Sequence, residues 1–202
     1  LSRKVVTVAT TLGEIALIRM GYSFRSRVEH DPGGDVSVIQ MKDIDDMSSI
    51  HVAGAARLTL PAGKERHLLR PNDLAFRSRG RSYGATLVPE GMGVAVLAAP
   101  MLLIRPSNVL PAYVSWYLNA PSTQSRLASM AAGTSVQMIS AEALKSLEIP
   151  LPSLSVQRDI AEVAALAERE RSLMAELTLR RQALTARVLM DCARQTPRKD
   201  VR

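Results

Sequence analysis

From Ser155 to Cys192 the chain contains neither proline nor glycine, and Ala, Leu, Glu, Arg, Met and Gln, all strong helix formers, dominate the run. It predicts one continuous helix of roughly 55 Å, longer than a small domain is wide. Its start is marked by Ile149-Pro150-Leu151-Pro152. Each proline fixes its own φ and pushes the preceding residue toward extended geometry, so residues 149–152 should form a stiff, non-helical connector. Ser153 or Ser155 can then accept a bond from a free first-turn amide, and Asp159 lies near the positive end of the helix dipole. The chain therefore divides into a globular part, residues 1–150, a long helix, residues 151–192, and a flexible basic tail, residues 193–202.

Along the helix Leu166, Leu177 and Val188 recur every eleven residues, as do Leu173 and Leu184, and Val163 widens the same face. An eleven-residue repeat drifts little around a straight helix, so this stripe asks for a partner helix without a strong left-handed supercoil. The charged remainder of the helix favours pairing with another chain over packing on its own domain.

Charge is polarised along the chain. Residues 57–81 carry Arg57, Lys64, Arg66, Arg70, Arg77, Arg79 and Arg81 against Glu65 and Asp73, a local net of +5. Residues 29–46 carry Glu29, Asp31, Asp35, Asp43, Asp45 and Asp46 against Lys42 alone, a local net of −5. A concentrated basic stretch predicts a polyanionic partner, nucleic acid first. The single cysteine, Cys192, excludes intrachain disulfides and fits a reducing cytoplasm. No apolar run approaches the roughly 20 residues needed to span a bilayer, and Glu14 interrupts the one stretch that faintly resembles a secretory leader.

Hydrophobic residues make up 47% of the chain, enough for a core. Residues 7–20 read as one entry segment ended by Gly21, with Leu12, Ile15 and Ile18 on one side. Short strands are expected at Val36–Met41, Asp73–Arg77, Ala85–Val88, Val94–Ala98 and Met101–Arg105, separated by glycine turns. Helices follow at Pro111–Asn119, carrying Tyr113, Trp116 and Tyr117 as core residues, at Ser122–Ala132 and at Ser140–Leu147. The fold class is α+β: a small, mostly antiparallel sheet with short helices, then the long helix, paired as an antiparallel coiled coil.

Motifs for catalysis are missing. There is no G-x-S-x-G elbow, no P-loop, no H-E-x-x-H, no G-x-G-x-x-G and no Asn/Asp-Pro-Pro-Tyr. His30, His51 and His67 lack metal-ligand spacing. Asp35 with Gln40 and Lys42 resembles a degenerate metal-dependent nuclease core, the enzyme reading that competes with nucleic-acid recognition; a coiled-coil adaptor with no DNA role is a third. For DNA contact the candidates are Lys64, Arg66, Arg70, Arg77, Arg79 and Arg81. Arginine bonds guanine O6 and N7 bidentately or clamps phosphate, and lysine neutralises phosphate. Thr134, Ser135 and Gln137 occupy a polar loop suited either to DNA contact or to a capping role. The acidic stretch 29–46 should face away from DNA.

The order of motifs resembles the DNA-specificity subunit of type I restriction-modification systems. The resemblance runs through Leu12-Gly13-Glu14-Ile15-Ala16, Met41-Lys42-Asp43-Ile44, Pro71-Asn72-Asp73-Leu74-Ala75-Phe76 with Arg79-Gly80 and Gly84, and Ala112-Tyr113-Val114 through Trp116-Tyr117-Leu118-Asn119. It continues with Gly133-Thr134-Ser135-Val136-Gln137-Met138-Ile139-Ser140 and Ile149-Pro150-Leu151-Pro152 with Gln157 and Ile160. It implies a target-recognition domain up to about residue 150 and a spacer helix that pairs with another such helix. Full-sized members carry two of each, one domain per half of a bipartite site, whereas this sequence holds one of each. The implied form is a half-sized, non-catalytic subunit that homodimerises through Val163, Leu166, Leu173, Leu177, Leu184 and Val188. Its implied partners are double-stranded DNA, an adenine methyltransferase subunit and a restriction/translocase subunit. S-adenosylmethionine, ATP and Mg would sit on those subunits and no cofactor on this chain.

Overall fold

Alternating apolar residues set the strands and proline sets the helix starts. The order is β1 (Val8–Thr11), α1 (Leu12–Ile15), β2 (Ala16–Met20), β3 (Val36–Ile39), β4 (Ala56–Leu58), β5 (Leu74–Phe76), β6 (Ala85–Leu87), β7 (Ala95–Leu97), β8 (Leu102–Pro106), α2 (Pro111–Asn119), α3 (Pro121–Met130), α4 (Ala141–Lys145), β9 (Glu148–Leu151) and α5 (Leu154–Gln195). The structure, a computed structural model, describes residues 8–24, 28–45, 49–80, 82–132 and 137–195. Two 3-10 turns, Met41–Asp43 and Glu65–His67, punctuate the first half. Residues through Ala161 form one compact unit and those from Glu162 another.

Within the first unit β2, β8, β5 and β6 make a four-stranded antiparallel sheet in that order. Successive side chains on a strand point to opposite faces, so each face of this sheet packs a different core. Ile18, Leu74, Phe76, Leu102 and Ile104 join Tyr113, Val114 and Leu118 of α2, Leu127 of α3 and Leu144 of α4. Ala75 and Leu103, one residue out of step, enter a second core with Ile39, Ala95, Leu97 and Met101. Those last residues belong to or adjoin a three-stranded sheet, β4-β3-β7, in which β3 runs parallel to β7. Its outer residues, Val36, Val38 and Val96, are covered by Phe24, Val28, Leu58, Leu60 and Leu68. The result is three layers: helices, four strands, three strands.

The expected strands and helices are present with their ends moved by at most three residues, and α2 not at all. Pro111 and Pro121 occupy the first helical turns of α2 and α3, where a missing N–H loses nothing. The Ser140 hydroxyl accepts from Ala143 N at 3.0 Å and caps α4. The entry segment is three elements, because α1 carries the chain from β1, in the two-stranded sheet, to β2, in the four-stranded one. The connector at 149–152 is more than a stiff link: β9 pairs antiparallel with β1, Pro150 opposite Ala9, and Ile149 is fully buried. Proline is tolerated there because both strands of a two-stranded sheet are edges.

The start of α5 is fixed by Gln157, only 2% exposed. Its Nε2 donates to Pro152 O at 2.8 Å and its Oε1 accepts from Leu110 N at 2.9 Å, so one amide ties the prolines to the entrance of α2. Ser153 Oγ and Ser155 Oγ bond each other at 2.9 Å. At 42 residues α5 is about 63 Å long. Beyond Glu162 its apolar residues face solvent: Leu166 is 69% exposed, Leu177 52% and Val188 51%.

Candidate nucleic-acid interface

One end of the four-stranded sheet gathers the loops that matter. Met20 and Phe76 both sit opposite Leu102, and Ala85 sits opposite Phe76, so segments 21–24, 77–84 and 98–101 leave the sheet side by side. The 98–101 turn is gripped on both flanks. Gly21 N donates to Met101 O at 2.8 Å, Tyr22 N to Leu97 O at 2.7 Å, and Ala99 N to Tyr22 O at 2.9 Å. On the other flank Ser78 Oγ donates to Pro100 O at 2.6 Å. Gly21 is required here, since a Cβ would lie 2.7 Å from Leu97 O and 2.9 Å from Ala98 C.

Ser78 O in turn accepts from Ile139 N at 2.8 Å, and Met138 bridges both Arg79 and Ala132. Exposed Arg79 and exposed Gln137 are thereby held on adjacent strands of chain. Gly80 beside them has φ +116°, which a residue with a Cβ rarely adopts. Arg81, Thr134 and Ser135 lie outside the described residues.

The second basic group stands on the 3-10 turn Glu65–His67. Arg19, on β2, reaches it through an NH1 to Arg66 O contact at 3.5 Å. The His67 ring meets Tyr22 edge-on at 5.4 Å, and Tyr22 meets Phe24 at 4.8 Å. These rings, with Met20, Pro61 and Lys64, line a cleft of about 660 Å³. Burial pushes the His67 imidazole below its ordinary value, and Arg66, Lys64 and Arg19 push it the same way. Three cations thus act on one ring. Glu65, the one acid on the turn, is held locally: its Oε1 accepts from Gly63 N at 3.0 Å.

Two of the sequence candidates are placed differently from this group. Arg77 is half-buried; its NH2 donates to Ile44 O and, at 3.3 Å, to Asp45 O, while its buried Nε has no partner. That guanidinium fastens β5 to the turn after β3. Arg70 is exposed, but at the opposite end of β5 from Arg79, where its N–H donates to Asp73 Oδ2 at 2.7 Å. Asp73 is buried with Arg105, whose Nε and NH2 reach the carboxylate at 2.7 and 2.6 Å. Arg105 NH2 also donates to Leu68 O at 3.1 Å, so this pair anchors the chain leaving the basic turn. The hydrogen bond to Asp73 raises the Arg105 pKa further.

Arg19, Tyr22, Phe24 and His67 carry no local signal in the sequence, because strand β2 and the turn at 65–67 meet only in three dimensions. Tyr113 and Tyr117 serve the core: their hydroxyls donate to Pro150 O at 2.6 Å and Glu148 O at 3.0 Å, fastening α2 to β9. Burial, followed by Tyr117, pushes the Tyr113 hydroxyl up to about 12. Trp116 beside them is 38% exposed. Asp35 and Lys42 lie at opposite ends of β3, whose four residues at ~3.3 Å each hold them well over a metal ion's reach apart. Asp43 is turned inward, where its Oδ2 accepts from Gln40 N at 2.8 Å. Among the described residues no cluster of three His, Cys, Asp or Glu could hold a metal ion, and no helix is long and apolar enough to cross a membrane.

The family of type I restriction modification DNA specificity domains matches residues 7–165, most of the chain and all of the layered unit. The chain belongs to this family. As a specificity domain it is similar in fold to the HsdS subunit from Thermoanaerobacter tengcongensis, at 20% identity over 86% of this chain and 40% of that one, TM-score 0.64. It is also similar to a chain from a structure on complex assembly and conformational transition of the type I R-M system, at 19% identity over 93% and 45%, TM-score 0.71. The S subunit from M. genitalium aligns at 18% identity over 90% and 44%, TM-score 0.59. This specificity domain with its helix therefore spans less than half the length of those subunits. No curated protein matches it.

Proposed function

We propose that this chain is a non-catalytic DNA reader that recognises half of a bipartite site and lends that recognition to an adenine methyltransferase and an endonuclease. The observation that carries the reading is the placing of Arg19, near the end of β2, and of Lys64, Arg66, Arg79 and Gln137, with the Tyr22 ring, on segments at one end of the sheet in a DNA-specificity domain. Cations on loops held by a rigid sheet can neutralise phosphates, while Arg79 and Gln137 have the donor and acceptor geometry to read base edges. Arg81, Thr134 and Ser135 extend the same loops in sequence. Residues 1–150 act as the recognition domain and 151–192 as spacer.

The exposed stripe on α5 is covered by a second copy, giving a homodimer with two identical domains and an interrupted palindrome as its target. S-adenosylmethionine, ATP and Mg belong to the partner subunits, and the complex works in the prokaryotic cytoplasm. Binding of the full chain to mixed-sequence duplex should weaken steeply with salt, because each neutralised phosphate releases counterions. Lys64→Ala and Arg66→Ala should each lower the log–log salt slope by about 1. Affinity independent of salt, or unchanged slopes in both variants, would refute this placement of the interface.

A further inference from the structure

An ideal α-helix turns 100° per residue, which puts Leu166, Leu173, Leu177, Leu184 and Val188 of α5 in one sector about 60° wide. All are more than half exposed. Glu170 falls inside that sector and Arg181 at its edge. Beyond Ala161 six of the other charges on this helix are paired along it, Glu168 with Arg171, Glu176 with Arg180 at 2.5 Å and Asp191 with Arg194 at 3.9 Å, and those left over lie outside the apolar sector. Among the described residues Glu170 and Arg181 have no such partner. Covering the stripe with an apolar surface would bury both charges unpaired, which is strongly destabilising. The occupant must therefore bring a cation to Glu170 and an anion to Arg181.

A second α5 does this in one orientation. Residues 162–176 hold four acids and two bases, net −2, and residues 177–195 hold four bases and one acid, net +3. Antiparallel helices set these halves against each other, whereas parallel ones set Glu170 on Glu170 and Arg181 on Arg181. We propose that two copies pair antiparallel in a single register centred on Ala175, with each Glu170 against the partner's Arg181; this rests on the self-pairing of α5 proposed above.

In that register Leu166 lies opposite the partner's Leu184, Leu173 opposite the partner's Leu177, and Val163 opposite the partner's Val188. On the other flank Glu162 meets the partner's Arg187, while Arg169 faces the partner's Arg180, whose charge Glu176 already offsets. Neighbouring registers fail on charge. A shift of eleven residues keeps leucine on leucine, Leu177 on Leu184, but leaves Glu170 beside Asp191 with no cation and sets Arg181 on Arg181. Shifts of three or four set Glu170 on Leu177 or Leu184 and Arg181 on Leu166 or Leu173. The ion pair selects the register that the leucines alone leave degenerate, a role polar residues play in helix pairing.

The test is sedimentation equilibrium of the full chain and its E170R, R181E and E170R/R181E variants. Each single variant should weaken the dimer by at least about tenfold, since like charges then meet at two symmetric points, and the double variant should recover wild-type affinity to within about threefold. A dimeric wild type whose double variant stays as weak as the singles overturns the register and leaves the pairing standing. A wild type that is monomeric at all concentrations overturns the pairing and the register together. In a C192S background, chains carrying L173C should cross-link to chains carrying L177C under oxidation. Cross-linking of L173C to V188C instead would show the register shifted by eleven and overturn the proposal.

Discussion

Truncating Asp73 to alanine should be among the most damaging single changes outside the apolar core. Its side chain is 2% exposed and its partner's is 20%; both carboxylate oxygens are used by Arg105, and Oδ2 also holds Arg70 N. Without the carboxylate, Arg105 keeps only Leu68 O and the Arg70 amide loses its acceptor. Removing one member of a buried pair costs about 3–5 kcal/mol; with Arg105 one-fifth open to water, about 3 is the appropriate figure. Asp73→Asn keeps an acceptor for Arg70 and should cost roughly half as much.

The single tryptophan, Trp116 on α2, reports unfolding of this unit by fluorescence in urea. With a slope of about 1–3 kcal/mol/M, the Asp73→Ala midpoint should fall by about 1–3 M. A loss under about 1 kcal/mol, the level of an exposed pair, would refute the claim that this pair is dry and structural. Because Arg105 also holds the carbonyl that follows the basic turn, DNA affinity of the folded Asp73→Ala protein should drop as well.

DNA affinity should rise as pH falls below about 6.5, the ordinary histidine value, because a phosphate in the cleft favours the charged imidazole that burial and three cations disfavour in the free protein. His67→Gln should flatten that profile in fluorescence anisotropy. The same depressed pKa means the unfolded chain binds the proton more readily, so stability is lost as pH drops through that range, and the His67→Gln variant should lose less on urea titration. Tyr113→Phe removes the bond from a buried hydroxyl to the Pro150 carbonyl, which water can still reach, and should cost about 0.5–1.5 kcal/mol by thermal unfolding. Deleting seven residues between Glu168 and Arg187 shortens α5 by about 10 Å, so the unread gap in the target should contract by about three base pairs at ~3.4 Å per step; an unchanged gap removes the spacer role.

What was legible in the sequence follows from range. The start of α5, the caps of α2 to α4 and strands β3 and β5 to β8 are written in local proline, serine and alternating apolar residues. The β1–β9 ladder was not, because it joins residues about 140 apart and contains a proline that reads as a strand breaker. β4 has three residues and alternates only intermediate and exposed positions, too weak a period to stand out. Charge density singles out Lys64 and Arg66 as candidates, yet density alone does not separate them from Arg77, whose guanidinium is bound to two carbonyls. Nor does it find Arg19 or His67, one on a strand and the other uncharged at neutral pH.

Co-expression with a type I methyltransferase subunit, followed by genome-wide mapping of N6-methyladenine against a control lacking this chain, tests the central claim most directly. Sequence reading by a symmetric pair predicts methylation of one interrupted palindrome, absent from the control. A soluble complex that methylates no chain-dependent motif would contradict it.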